Sequence, residues 1–137
     1  KVAGIAKDIP PLEVDSVEGS RLLVLSWGGT WGVTHAGVYR ARARNRRVDW
    51  AHLMHLNPFP ANLGDVLAGY ERVMVPELNM GQLRQILRAT FLIDVIGLNK
   101  IQGQPFKVRE VLDAIEKQLD AKHTESTTVA SQPAASA

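Results

Sequence analysis

Two segments concentrate groups able to bind a ligand or a partner. Glu77 and Asn79 stand within Val75-Pro76-Glu77-Leu78-Asn79-Met80-Gly81-Gln82-Leu83, and Lys100 and Gln102 within Asn99-Lys100-Ile101-Gln102-Gly103-Gln104-Pro105-Phe106. Each segment lies where an apolar, strand-like run ends and an amphipathic, helix-like run begins. In parallel α/β sheets that edge is where binding surfaces are built. A carboxylate there can cap the following helix or pair across an interface. Asn79 suits an N-cap, accepting from backbone N–H groups one turn ahead, as well as it suits a ligand role. Lys100 near Glu77 would join two loops or supply half of a subunit contact. Gln102, Gly103 and Pro105 read as turn chemistry that sets the last helix, with Phe106 filling core.

Other candidate chemistries fall away on inspection. Gly28, Gly29 and Gly32 do not form G-x-G-x-x-G, and Trp31 stands where a backbone must approach a pyrophosphate. The next strand ends in Met54-His55 rather than in a ribose-binding acid. His52 and His55 are separated by an odd number along a strand, so alternation puts them on opposite faces. With no Cys or nearby carboxylate to complete a ligand set, His35, His52 and His55 read as structural. No G-x-S-x-G nucleophile turn occurs. Arg40, Arg42, Arg44, Arg46 and Arg47 fall within eight residues. They read as the solvated end of a helix, where cations complement the macrodipole, since no aromatics interleave them as a nucleic-acid site requires.

These groups need a scaffold, and the hydrophobic pattern specifies one. Expected strands cover Leu22–Ser26, Val48–Met54, Arg72–Val75 and Phe91–Ile96. Expected helices run from about Val33 to Asn45, Ala61 to Ala68 (ending at Gly69 as a C′ residue), Gln82 to Ala89, and Val108 to Leu119. The continuous apolar run Leu22–Leu25 is the mark of a strand buried on both faces. Strand–helix alternation with short connections predicts a three-layer α/β/α domain with a mainly parallel sheet of four to five strands and right-handed crossovers. Residues 1–20, with Pro10-Pro11, read as a leading arm with a short strand at Leu12 to Val14. Residues 21–120 form the domain, and 121–137 have too little to bury and read as a disordered tail.

The 137 residues are 45% hydrophobic, enough for a real core. The net charge is +2, from 16 basic and 14 acidic residues, so no nucleic-acid partner is implied. No run reaches the roughly 20 apolar residues of a membrane helix. Cysteine is absent, which excludes a thiolate nucleophile or a Cys-ligated cluster on this chain and fits a cytoplasmic protein. The chain opens on Lys1 rather than Met, as a chain cut or processed from something longer would.

From about Leu22 to Leu119 the sequence resembles the C-terminal domain of the alpha subunit of 2-oxoacid:ferredoxin oxidoreductases, most closely the 2-oxoglutarate type. The segments carrying this are Leu22 to Gly32, Asn57-Pro58-Phe59-Pro60, Val75 to Leu83 and Asn99 to Phe106, the last two being the specific ones. The turn Leu56 to Pro60 is also similar to that in transketolase C-terminal domains. The resemblance implies a transketolase C-terminal-like fold in an enzyme that oxidatively decarboxylates a 2-oxoacid to an acyl-CoA. Thiamine diphosphate, Mg²⁺ and an iron–sulfur cluster are then held by the rest of the alpha subunit and a beta subunit, and ferredoxin accepts the electrons. The chain alone is expected to be inactive and to bind no cofactor by itself, with Glu77, Asn79, Lys100 and Gln102 organising loops or an interface. On that expectation Glu77→Ala or Lys100→Ala weakens the complex while barely changing the melting of the isolated domain; equal destabilisation marks a fold residue. The competing reading is a stand-alone regulatory module that binds a nucleotide or CoA-like phosphate at Gly28–Gly32.

Overall fold

Every position of Leu22-Leu23-Val24-Leu25 is apolar because the strand it forms has a helix layer on each side. The computed structural model describes residues 9–56, 58–78, 81–99 and 105–121. Its elements are β1 (Val14–Asp15), β2 (Leu22–Trp27), a 3₁₀ turn (Gly28–Thr30), α1 (Trp31–Ala43), β3 (Asp49–Leu53), α2 (Leu63–Ala68), β4 (Arg72–Glu77), α3 (Gln82–Phe91), β5 (Ile96–Asn99) and α4 (Val108–Asp120). The sheet has five strands in the order β1-β3-β2-β4-β5. Only β1 is antiparallel, pairing Val14 with Ala51 and Asp15 with Trp50; the other three pairings are parallel.

Alternate strand residues feed two cores. Leu23, Leu25, Leu53, Val73 and Val75 meet Leu63 and Leu67 of α2 and Leu83 and Leu87 of α3. Leu22, Val24, Val48, Trp50 and Met74 meet Val38 and Ala41 of α1 and Val111, Leu112 and Ile115 of α4, with Phe106 among them. Helices α1 and α4 cross closely at Gly37, where a Cβ would stand 2.7 Å from a Val111 methyl. Glu110 reaches back to the Lys107 N–H at 2.7 Å and caps α4. The three-layer architecture is thus as expected, with five strands.

The fourth parallel strand differs from expectation. Phe91–Ile96 is not a strand: Phe91 is the last residue of α3, packed over Gly64 and 5.9 Å from the Phe59 ring. The strand is Ile96–Asn99. Leu83, Leu87 and Phe91 fall at helical spacing on one face, so core contact extends the helix past Ala89. Leu92, at φ 55°, then ends it in a left-handed conformation. Gly69 does not play the left-handed part expected of it, having φ −81°. Helix α1 begins at Trp31, ahead of the expected Val33, because the glycine-rich turn coils directly into it.

Arg40, Arg44 and Arg47 are exposed as expected of a solvated helix end, but four of the five arginines also tie the helix to the rest of the domain. Arg42 lies over the Tyr39 ring, pairs with Asp15 at 3.0 Å, and donates to the Asp15 carbonyl at 2.7 Å and the Val48 carbonyl at 3.0 Å. Arg44 pairs with Glu116 at 3.1 Å and Arg46 with Asp120, tying α1 and its exit turn to α4. Arg47 donates to the Glu18 carbonyl at 2.5 Å. The leading segment is likewise part of the fold: Leu12 is in the core, and the Val17 N–H donates to buried Asp49 at 2.8 Å. The expected tail, 122–137, lies outside the described residues.

Candidate functional site

The sheet opens at the carboxyl ends of its two central strands. β2 and β4 are paired only through Val24 and Met74, beyond which they diverge, while β4 stays paired with β5 up to Glu77 and Asn99. Pro76, which has no N–H to donate, is accommodated beyond the β2–β4 ladder. The connection from β2 leads to α1 on one face and that from β4 to α3 on the other. This reversal is the topological switch point at which open α/β sheets bind ligands and partners.

Glu77 is the buried group at this edge, with 1% of its surface exposed. Its carboxylate turns into its own helix and accepts from the Leu83 N–H at 2.9 Å and the Arg84 N–H at 3.1 Å. Those are first-turn donors of α3, which have no intrahelical partner and lie at the positive end of the helix dipole. Of the two roles expected for a carboxylate at this strand end, capping the following helix or pairing across an interface, Glu77 takes the first. The N-cap position itself is Gly81, at φ 83°. Asn79, Lys100 and Gln102 lie outside the described residues, as does Asn57.

Two further residues complete the corner. Asn99, in register with Glu77 across β4 and β5, sets its amide against Gly81, 3.3 Å from where a Cβ would stand. The Arg84 side chain crosses Gly97, its Cδ 2.9 Å from a Cβ there, and donates to the Val95 carbonyl at 2.6 Å. Sequence reading noted Asn99 within a motif and gave Arg84 no part. The usable signal was that two glycines, Gly81 and Gly97, need side chains to lie over them.

On the other face a polar network closes the ends of β2 and β3. Ser26 Oγ accepts from Trp50 Nε1 at 3.0 Å and lies 2.8 Å from His52 Nδ1. Burial lowers the His52 pKa from its ordinary value, which favours a neutral ring. Ser26 is fully buried, so the pair is not a nucleophile presented to substrate. His52 is thus structural as expected, whereas His55, beyond the end of β3, is exposed. His35 stacks between Trp31 and Tyr39, at ring-centroid distances of 5.2 and 4.4 Å. Tyr70 donates to Asp49, and burial first, then that carboxylate, pushes its phenol far above the ordinary range. Among the described residues no three His, Asp or Glu side chains come together to hold a metal ion, and none of the helices is long and apolar enough to cross a membrane.

The sheet order, the covered faces and the switch point define a transketolase C-terminal-like domain. The chain matches no family model. It is 46% identical over 112 residues to the 2-oxoglutarate oxidoreductase subunit KorA of Mycobacterium tuberculosis (strain ATCC 25618 / H37Rv), covering 81% of this chain and 17% of that subunit. It is 27% identical, at a TM-score of 0.79, to the 2-oxoglutarate:ferredoxin oxidoreductase of Magnetococcus marinus, solved with 2-oxoglutarate, coenzyme A and succinyl-CoA bound; 86% of this chain and 21% of that one are covered. A split-gene transketolase, an inactive β4 tetramer, shares the fold at 17% identity and a TM-score of 0.58, over 81% of this chain and 42% of that one. The chain is homologous to the C-terminal domain of a 2-oxoacid:ferredoxin oxidoreductase subunit. It spans about a sixth of the length of the curated relative it matches, 17%.

Proposed function

We propose that this chain is the C-terminal domain of the alpha subunit of a thiamine-diphosphate-dependent 2-oxoacid:ferredoxin oxidoreductase, with 2-oxoglutarate as the substrate. In that role it supports assembly around a site completed by other chains, and the whole enzyme decarboxylates the 2-oxoacid to an acyl-CoA in the cytoplasm. The observation that carries the reading is the 46% identity over 112 residues to a 2-oxoglutarate oxidoreductase subunit. The donor set of this chain agrees with a supporting role. It has no cysteine for an iron–sulfur cluster. On this reading the cluster, thiamine diphosphate and its Mg²⁺ belong to the rest of the alpha subunit and to the beta subunit, with ferredoxin taking the electrons.

Glu77 organises the loop from inside by capping α3, and on this reading the role of Asn79, Lys100 and Gln102 is to organise the adjoining loops or an interface with a partner. Covering these loops would desolvate Lys100, and truncating one member of a desolvated charge pair costs roughly 2–5 kcal/mol. The test is 2-oxoglutarate- and CoA-dependent reduction of ferredoxin by the full subunit co-purified with its partner chains. Activity with 2-oxoglutarate, lowered at least about tenfold by Lys100→Ala, is expected. No reduction with any 2-oxoacid, or tight binding of CoA by the isolated domain at Gly28–Gly32, would instead favour a stand-alone module.

A further inference from the structure

Ahead of Arg40 and Arg42 in its last turn, helix α1 carries no charged side chain on its outer face. From Gly28 to Tyr39 the chain contains no Asp, Glu, Lys or Arg. α1 buries Thr34, Gly37, Val38 and Ala41 beneath it. Its outer surface carries Trp31, His35 and Tyr39 at four-residue spacing, so their rings form a ladder. The Trp31 and His35 rings are parallel within 3°, and Trp50 of β3 stands edge-on to both, at 5.9 and 5.1 Å. Trp31 is 50% exposed and Tyr39 44%, and Met54, just past the end of β3, is 75% exposed. Trp50 joins the ladder to a cleft of about 490 Å³ lined by Pro10, Pro11, Asp15, His52 and Met54 among others. Contiguous exposed aromatic and methionine surface marks an interaction site.

The route of the chain selects the occupant. β1 is antiparallel to β3, so residues ahead of it lie at the carboxyl end of the sheet, where Pro10 and Pro11 wall the cleft beside Met54. A subunit built like the mycobacterial relative has most of its length outside this domain, since the domain spans 17% of it. A preceding domain joined through residues 9–13 is delivered to this surface at an effective concentration near the millimolar range. Modest apolar contact then suffices to hold it.

We infer that the Trp31–His35–Tyr39 ladder, together with Met54, seats the preceding part of the same polypeptide, which meets it with an uncharged, apolar surface. This rests on the chain being the C-terminal domain of a longer subunit, and it assigns the contact to the alpha subunit's own earlier domain rather than to the beta subunit or a second copy.

Hydroxyl-radical oxidation of the full-length subunit, read by mass spectrometry, tests it. Buried Met74 is the low reference, and tryptic peptides of the same preparation are the fully reactive one. In the alpha subunit without its partner chain, Met54 is expected to oxidise at about a tenth of its peptide rate or less, at every protein concentration. Met54 reacting near its peptide rate in the complete complex overturns the inference. So does protection that appears only when the beta subunit is added, which points to that chain, or protection that grows with concentration, which points to a second copy. Turnover measured on the same preparation separates the two readings. An active complex with a reactive Met54 sinks this contact alone, while a protected Met54 without 2-oxoacid-dependent turnover sinks the proposed reaction alone.

Discussion

The two ends of the sheet are finished in opposite ways. At the amino end, where α1 and α4 terminate, charges are answered within the chain: Arg44 by Glu116, Arg46 by Asp120, Arg21 by Glu71, and Arg72 by the carbonyls of Gln118 and Ala121. At the carboxyl end one carboxylate, Glu77, is spent inside on helix α3, while Trp31, Met54 and Leu78 face outward. Ion pairs at a surface complete that surface and need nothing further from it. Apolar side chains held outward on rigid elements gain free energy only when something covers them, at roughly 25 cal/mol per Å² removed from water. The difference separates an end whose charges are satisfied within the domain from an end that keeps apolar surface exposed.

The largest effect should come from the buried cap. Glu77→Ala leaves two first-turn N–H groups of α3 without their acceptor and opens a gap in packed surroundings, and is expected to cost about 2–4 kcal/mol in urea unfolding of the domain. That replaces the expectation from sequence that this substitution would spare the isolated domain. A cost as small as that of an exposed arginine would erase the contrast between the two ends.

Gly37→Val comes next. The new side chain must enter the space of Val111, so α1 and α4 have to separate, at a cost of about 1–3 kcal/mol in the same measurement.

Arg42→Ala should cost about 1–2 kcal/mol, since the side chain is mostly buried and holds the leading segment through Asp15 and two carbonyls. Acid should mimic part of it. The Tyr39 hydroxyl first, then Arg42, holds the Asp15 carboxyl below its ordinary value. A depressed carboxyl contributes stability that is complete above the unfolded pKa of about 3.9 and is lost as pH falls through the folded value. Limited proteolysis before Val14 should therefore accelerate below about pH 4 in the native chain. In Arg42→Ala it should already be faster at neutral pH. Equal rates at both pH values would show that Asp15 does not hold the segment.

The smallest effect is expected at Arg44→Ala, whose pair with Glu116 is open to solvent: about 0–1 kcal/mol, shrinking further in added salt. A loss comparable to that of Arg42→Ala would mean the amino end is held by a cooperative charge network rather than by independent pairs.

Much of the fold was legible because periodicity is a local property. Leu22–Leu25 had to be a two-sided buried strand, and Val108, Val111, Leu112 and Ile115 had to face one way on a helix. The misplaced strand at Phe91 shows where that reading fails. A short apolar run, Phe91-Leu92-Ile93, fits either element, and only the contact of Phe91 with Gly64 and Phe59 decides for the helix. At the site, the position of Glu77 at a strand end was readable, whereas the direction its carboxylate faces was not.

By itself the sequence determined the layer architecture, the order of strands and helices, and the placement of Glu77 at a carboxyl edge, through the spacing of apolar side chains along the chain. Only the tertiary structure decided which groups meet. Arg42 finds Asp15 27 residues away, and Arg46 finds Asp120 74 residues away. Trp31, His35 and Tyr39 become a ladder only with Trp50 beneath two of the three rings. Spacing encodes which face a residue occupies. Its partner across that face depends on how separate elements cross, and packing between layers sets that crossing.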